Sequence, residues 1–152
     1  MNIEVRDYKK EDAYTILNKN IREHDAQDTS EFETYAELWG KEGPAYTIVV
    51  DGEVVFCGGV VNIGWNRGEA WTLMSKLFYK YPKTCFKICR NQLNKVIEEH
   101  KFARVQALVD PKLYGGVRFM EHLGFEKEGL LKKYGPQSED MWMMGRIPER
   151  TQ

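Results

Sequence analysis

The sequence predicts an α+β domain in which a mixed β-sheet of about six or seven strands is flanked by about four helices. Hairpin-forming strands dominate the first half of the chain, whereas strands alternate with helices in the second half. The chain has 152 residues, within the usual size of one domain, and no repeat, linker or low-complexity tract divides it. We therefore expect residues 1–152 to form a single domain.

The first predicted elements are a short strand and two helices. Apolar and charged residues alternate over residues 3–6, as in a strand with one buried face. The next apolar residues recur at helical spacing: Ala13, Ile16, Leu17 and Ile21. Ser30 and Glu33 form a capping-box pattern that predicts a second helix over about residues 31–39, and Gly40 is suited to end it.

A hairpin and a long helix come next. The segments AYTIVV and EVVFCGGVV flank Asp51-Gly52, a dipeptide that favours a two-residue hairpin turn with positive φ. A second turn pattern, over residues 66–68, precedes the predicted strand EAWTLM. From Pro82 to about Glu99, apolar residues recur at every third or fourth position, which predicts a long amphipathic helix.

The last third of the chain alternates strands with one further helix. The segment ARVQALV is a predicted strand, and a helix follows over about residues 113–122. A strand over about residues 125–134, a Gly135-Pro136 turn and a last strand, EDMWMMG, complete the chain. The predicted order is therefore β-α-α-β-β-β-α-β-α-β-β.

Composition excludes several functional classes. Lys and Arg total 22 against 23 Asp and Glu, so no overall field attracts nucleic acid or an anionic membrane. The chain begins without the apolar segment of a secretory signal, and no apolar run approaches the roughly 20 residues of a membrane span. The cysteines are odd in number and isolated from the histidines, which favours reduced thiols in a cytoplasm and no metal site.

The element order and one late segment resemble the GNAT superfamily of acyl-CoA-dependent N-acyltransferases. Residues 115–126, GGVRFMEHLGFE, are similar to the superfamily segment in which a helix ends in a Leu-Gly-Phe step. A glycine-capped helix before any strand gives the same step, so the element order is needed to support it. The stretches EAWTLMSKLFYKYPK and RFMEHLGFEKEG also resemble GNAT-like proteins of tailed bacteriophages. This resemblance implies a protein of the host cytoplasm or of the virion.

The resemblance implies that the co-substrate acetyl-CoA binds between two parted strands and the start of the long helix. The superfamily holds the diphosphate on a turn with the pattern Arg or Gln, two residues, Gly, one residue, then Gly or Ala. The matching window, residues 79–84, has no glycine. Pro82 nevertheless suits a first helical position, after which backbone N–H groups are free for an anion. The implied cofactor-binding residues are Met74, Ser75, Lys80, Pro82, Lys83, Thr84, Cys85 and Phe119. The lysines among them are equally typical of a solvated surface.

Two residues are candidates for the chemistry of acyl transfer. The attacking amine must lose a proton, and Glu69 lies where several superfamily members place a carboxylate base, although a water-exposed strand-end glutamate fits the same position. Many members protonate the departing thiolate with a Tyr four residues before the Gly of the Leu-Gly-Phe step. That position is Met120. Tyr114 is the candidate substitute, or alternatively a half-buried packing residue.

The resemblance thus implies an N-acetyltransferase that acts on the amine of a small molecule or a protein, as a monomer or a homodimer, without nucleic acid or membrane as a partner. The missing glycines and Met120 support an alternative, a catalytically inactive GNAT-fold protein with a structural or host-interaction role in a phage. Large aromatic residues line an acceptor pocket or pack the core: Trp39, Tyr46, Trp65, Trp71 and Trp142.

Overall fold

The computed structural model describes residues 1–17, 30–112 and 114–148, except for the side chains of residues 30–34 and 114. Its strands are β1 (Ile3–Asp7), β2 (Ala45–Val50), β3 (Glu53–Gly64), β4 (Arg67–Met74), β5 (Arg104–Val109), β6 (Glu126–Leu131) and β7 (Met141–Arg146). Its α-helices are α1 (Lys10–Thr15), α2 (Ser30–Lys41), α3 (Pro82–His100) and α4 (Tyr114–His122). A 3-10 helix, Lys76–Lys80, joins β4 to α3 and was not predicted.

The strands form one seven-stranded mixed sheet in the order β1-β2-β3-β4-β5-β7-β6. Neighbouring strands are antiparallel except for β4 and β5, which are parallel. The α+β class and the element order predicted from the sequence are confirmed. The parallel pair joins the antiparallel β1–β4 half to the antiparallel β5–β7–β6 half, so the contact between the two halves of the sheet is a single strand pair.

Each face of the sheet is covered by its own pair of helices. On the α3 face, apolar residues of α3 and α4 pack against strand residues such as Phe56 and Val60. On the α2 face, α1 and α2 pack against the strands through residues such as Ala13, Ala36 and Leu73. Burial of these apolar side chains on both faces is the main stabilising contribution in a three-layer arrangement of this kind.

The first hairpin turn is confirmed, whereas the second lies earlier than predicted. Asp51 and Gly52 have φ values of 50° and 83°, as a two-residue hairpin turn requires. The next turn is formed by Trp65 and Asn66, with φ values of 54° and 59°, and β4 already begins at Arg67. The predicted turn over residues 66–68 was therefore wrong in position.

Other boundaries shift by a few residues. Helix α2 continues through Gly40 and ends at Lys41. Strand β6 ends at Leu131, earlier than the predicted Tyr134, because a turn begins there and Lys133 adopts a φ of 54°. Ile21 and the side chains of the predicted capping box, Ser30 and Glu33, lie outside the described part of the structure.

A buried carboxylate connects the first two strands to α1. Arg6 donates to Asp12 from Nη1 at 2.7 Å and from Nη2 at 2.9 Å. The Thr47 hydroxyl donates at 2.8 Å and the Lys9 backbone N–H at 3.0 Å. Burial by itself favours the neutral form of Asp12, but these hydrogen bonds together outweigh it, so the pKa of Asp12 lies below its usual value. The carboxylate is therefore ionised at neutral pH and is an integral part of the fold.

The three cysteines, Cys57, Cys85 and Cys89, are free and buried. Burial raises the pKa of the Cys57 and Cys89 thiols to about 12 and also raises the pKa of Cys85. Because the thiolate is the reactive form, we expect no cysteine of the native protein to react with the thiol reagent DTNB within minutes at pH 8, and all of them to react in guanidinium chloride. One rapidly reacting thiol in the native protein would contradict this burial.

None of the helices in the described part of the chain is long and apolar enough to cross a membrane.

Candidate functional site

The sheet is open between β4 and β5. The two strands pair only at their first residues. The first pair is Arg67 with Arg104, and the last is Glu69 with Gln106. Both strands nevertheless continue, β4 to Met74 and β5 to Val109. The strands therefore part beyond Glu69 and leave a V-shaped gap, as the resemblance implies.

The backbone of β4 faces this gap at alternate residues. The Ser75 N–H donates to the Val55 carbonyl of β3 at 3.0 Å, and the Ser75 carbonyl accepts from the Phe78 N–H at 3.0 Å. Because backbone groups of successive strand residues point to opposite sides, the N–H and C=O groups of Thr72 and Met74 point away from β3 and into the gap. The predicted cofactor contact of Met74 stays a prediction, whereas both backbone groups of Ser75 are already used. Thr72 was not predicted.

The first turn of α3 is partly open to an anion. Pro82 is the first helical residue, as predicted, and Tyr81 is the N-cap residue. Within the described residues, the N–H groups of Lys83 and Thr84 have no backbone acceptor, whereas the Cys85 N–H donates to the Tyr81 carbonyl at 3.0 Å. Pro82 and Lys83 are exposed, whereas Cys85 is fully buried. Only two of the three predicted N–H groups are therefore available.

Phe119 of α4 connects the start of α3 to the gap. Its ring lies 6.0 Å from the rings of both Phe78, in the 3-10 helix, and Phe86, in α3. It also lines the gap together with Met120. The free N–H groups of α3 therefore lie on an element that packs against the wall of the gap.

A cavity of about 590 Å³ occupies the gap and is lined from both faces of the sheet. Met74, Phe119 and Met120 line it from the α3 face. Trp39 and Trp71 line it from the α2 face. Because these residues belong to opposite faces, a molecule that enters from the α3 face can meet another that enters from the α2 face.

Glu69 lies at the point where the strands part and is one of the residues that line the cavity. Its Oε1 accepts a hydrogen bond from Nε2 of Gln106 at 3.3 Å. The Gln106 Oε1 in turn accepts from Nε of Arg104 at 3.1 Å. Arg104 is itself held by both carboxylate oxygens of Glu128. The predicted base is thus half-buried and fixed from one side by Gln106, which the sequence did not identify.

The large aromatic residues divide between the cavity and other environments. Trp39 and Trp71 stack with ring centroids 4.2 Å apart and planes at 10°, and both line the cavity. Tyr46 packs in the core, Trp65 is 87% exposed at a turn, and Lys127 lies 4.8 Å over the ring of Trp142. Trp39 and Trp71 fit both interpretations, because they line the cavity and also pack against the buried residues of the α2 face.

Solved structures with the same architecture include three acetyltransferases. Ard1 from Thermoplasma volcanium is 14% identical over 99% of this chain and 100% of its own, with a TM-score of 0.79. A spermidine N-acetyltransferase chimera of Vibrio cholerae SpeG and hSSAT is 14% identical over 97% and 96%, with a TM-score of 0.73. A GNAT-family acetyltransferase from Bacillus anthracis is 14% identical over 97% and 95%, with a TM-score of 0.71. The chain has the GNAT acetyltransferase fold. No family model and no curated protein sequence matches it.

Two features depart from the GNAT pattern quoted above. The segment before α3 contains no glycine, and its place is taken by the 3-10 helix, whose N-cap Ser75 accepts from the Leu77 N–H at 3.1 Å. Met120 stands at the position of the usual Tyr, is 7% exposed and offers no proton. Tyr114 begins α4, but its side chain lies outside the described part of the structure, so its role stays a prediction.

Proposed function

We propose that the protein transfers an acetyl group from acetyl-CoA to an amine. The observation that carries this proposal is the parted β4–β5 pair, which exposes unpaired backbone groups inside a cavity reached from both faces of the sheet. An extended amide-bearing molecule pairs with such a strand as an added strand does. The solved structures that share this fold and are named as acetyltransferases support the same chemistry.

In this proposal the pantetheine arm pairs with the backbone of Thr72 and Met74 and packs against Phe119. The diphosphate lies at the start of α3, where the free N–H groups of Lys83 and Thr84 and the helix dipole favour an anion. Pro82 fixes the first turn, and the exposed ammonium groups of Lys80 and Lys83 add positive charge. We leave Ser75 and Cys85 out of this set because their N–H groups are engaged within the protein.

Glu69 acts as the general base. An amine enters as an ammonium ion at neutral pH, since alkyl amines have pKa values near 10.4, and must lose a proton before it attacks. Glu69 accepts that proton, the amine nitrogen bonds to the thioester carbonyl carbon, and the carbon–sulfur bond breaks. The thiolate departs without an acid because thiols have pKa values near 8.5 and their anions are stable. The nitrogen, which becomes positively charged on attack, loses its second proton to the thiolate through water, so that the amide and the CoA thiol are formed, and Glu69 returns the first proton to the solvent.

A catalytically inactive protein of the same fold, such as a structural or host-interaction component of a phage, is the second candidate. It is favoured by Met120 at the usual acid position and by the glycine-free segment before α3. The two candidates differ in whether the protein binds CoA.

Calorimetric titration with CoA tests the proposal directly. We expect a Kd in the range usual for enzyme substrates, about 1 μM to 1 mM. We expect Lys83→Glu to weaken binding about tenfold because it places a negative charge beside the diphosphate. Lys132→Glu, at an exposed lysine beyond the end of β6, makes the same charge change and serves as the control. No heat of binding at millimolar CoA would favour the inactive protein.

A further inference from the structure

We infer that the acetyl acceptor is a small aliphatic diamine, held as a cation in the part of the cavity on the α2 face. The inference rests on the proposed function, since it concerns the second substrate of the same site. The supporting observations are the negative charge and the apolar side chains of the residues that line the cavity.

The charged residues that line the cavity are all acidic. Glu42 follows α2, Glu69 lies in β4 and Asp110 follows β5, and the lining contains no Lys, Arg or His among the described residues. The chain as a whole is nearly neutral, with a net charge of −1, so this bias is local and does not follow from composition. A cavity whose charged side chains are all negative attracts cations and repels carboxylates and phosphates.

The reaction uses the carboxylate of Glu69, and the carboxylate of Glu42 is left to bind a second charge. Glu69 accepts the proton of the attacking amine in the proposed mechanism. The Glu42 side chain has no ion-pair or hydrogen-bond partner among the described residues, whereas the Glu42 backbone is fixed by a bond from its N–H to the Leu38 carbonyl at 2.9 Å. Asp110 adds further negative charge, with Oδ1 accepting from the Lys112 backbone N–H. An acceptor with a second ammonium group is therefore complementary to the carboxylate that the reaction leaves unused.

The wall between these charges is apolar. The stacked rings of Trp39 and Trp71 line it together with Leu38 and Met141. A short chain of methylene groups packs against such a wall. The cavity of about 590 Å³ must also hold the acetyl end of the cofactor, so the acceptor is small.

The decisive experiment compares acceptors of one length and different charge. Release of the CoA thiol is measured with acetyl-CoA and diaminobutane, butylamine or γ-aminobutanoate. We expect kcat/KM for diaminobutane to exceed that for butylamine about tenfold, because one added ion pair forms in a partly open cavity, and γ-aminobutanoate to be the poorest acceptor. The same diamine is titrated into the protein by calorimetry, as a measure of binding that needs no reaction.

The variant Glu42→Gln is expected to reduce the diaminobutane-to-butylamine ratio about fivefold and to weaken diamine binding to a similar degree. Glu53→Gln makes the same change at another exposed glutamate, which lies outside the cavity, and is expected to leave the ratio unchanged. Equal kcat/KM values for the two amines, or a ratio insensitive to Glu42→Gln, would overturn the inference while the transferase stands. Diamine binding that depends on Glu42, without any acetyl transfer, would support this cation site and overturn the proposed function.

Discussion

The variant Glu69→Gln is expected to lower kcat for acetyl transfer about 100- to 1000-fold, the usual contribution of a general base. Glutamine keeps the size of the side chain and can still hydrogen-bond to Gln106, but it cannot accept a proton. Because Glu69 lies where β4 and β5 part, before Thr72 and Met74 in β4, CoA affinity should be unchanged. Thiol release and calorimetry measure the two quantities separately.

The pH dependence of this defect provides an internal check. As the pH rises toward the amine pKa near 10.4, a growing fraction of the acceptor is already neutral and needs no base. The deficit of Glu69→Gln should therefore shrink with rising pH, whereas damage to the fold would persist. Glu53→Gln is the matched control for loss of a carboxylate. Full activity of Glu69→Gln at pH 7 would remove Glu69 from the mechanism.

The variant Asp12→Ala is expected to lower the free energy of unfolding by about 2–3 kcal/mol. Breaking a buried ion pair at one partner costs about 3–5 kcal/mol, but the Arg6 side chain is 31% exposed and can turn toward water, which reduces the loss. The variant also removes the acceptor of the Thr47 hydroxyl, which is fully buried. Urea denaturation at pH 7 measures the change.

The control is Glu4→Gln, because Glu4 contacts the same Arg6 at 3.8 Å with a side chain that is 61% exposed. We expect it to change stability by less than about 0.5 kcal/mol. Because the pKa of Asp12 is lowered by folding, its contribution is fully present above the unfolded value of about 3.9 and is lost as the pH falls through the folded value. The difference in free energy of unfolding between Asp12→Ala and the parent protein should therefore become smaller only below about pH 4. An unchanged difference at lower pH would contradict this assignment.

The elements that could be predicted from the sequence are those specified locally. Asp51-Gly52 encodes its turn through two residues that adopt positive φ readily, and the structure follows it. The turn at Trp65-Asn66 could not be predicted, because tryptophan rarely adopts positive φ. The nearby Gly68, which suggested a later turn, serves packing instead, since a Cβ there would lie 2.3 Å from Cγ1 of Val60.

The site could be predicted in outline but not in its contacts. The parted strands followed from the element order through the resemblance. The bond between Gln106 and Glu69 spans 37 residues and depends on cross-strand register, which a single sequence does not encode. The expected freedom of the Cys85 N–H was wrong, because the carbonyl of the N-cap residue Tyr81 accepts from it and so closes the first turn of α3.

The Arg104–Gln106–Glu69 chain restricts which residue can occupy position 106. A guanidinium only donates hydrogen bonds and an ionised carboxylate only accepts them, so the residue between them must accept at one end and donate at the other. A glutamate at position 106 would place a second acceptor beside Glu69, and a lysine would place a second donor beside Arg104. A leucine could form neither hydrogen bond. The amide of Gln106 therefore has one orientation, with its oxygen toward Arg104 and its nitrogen toward Glu69. Few residues can replace Gln106, although it need not touch either substrate.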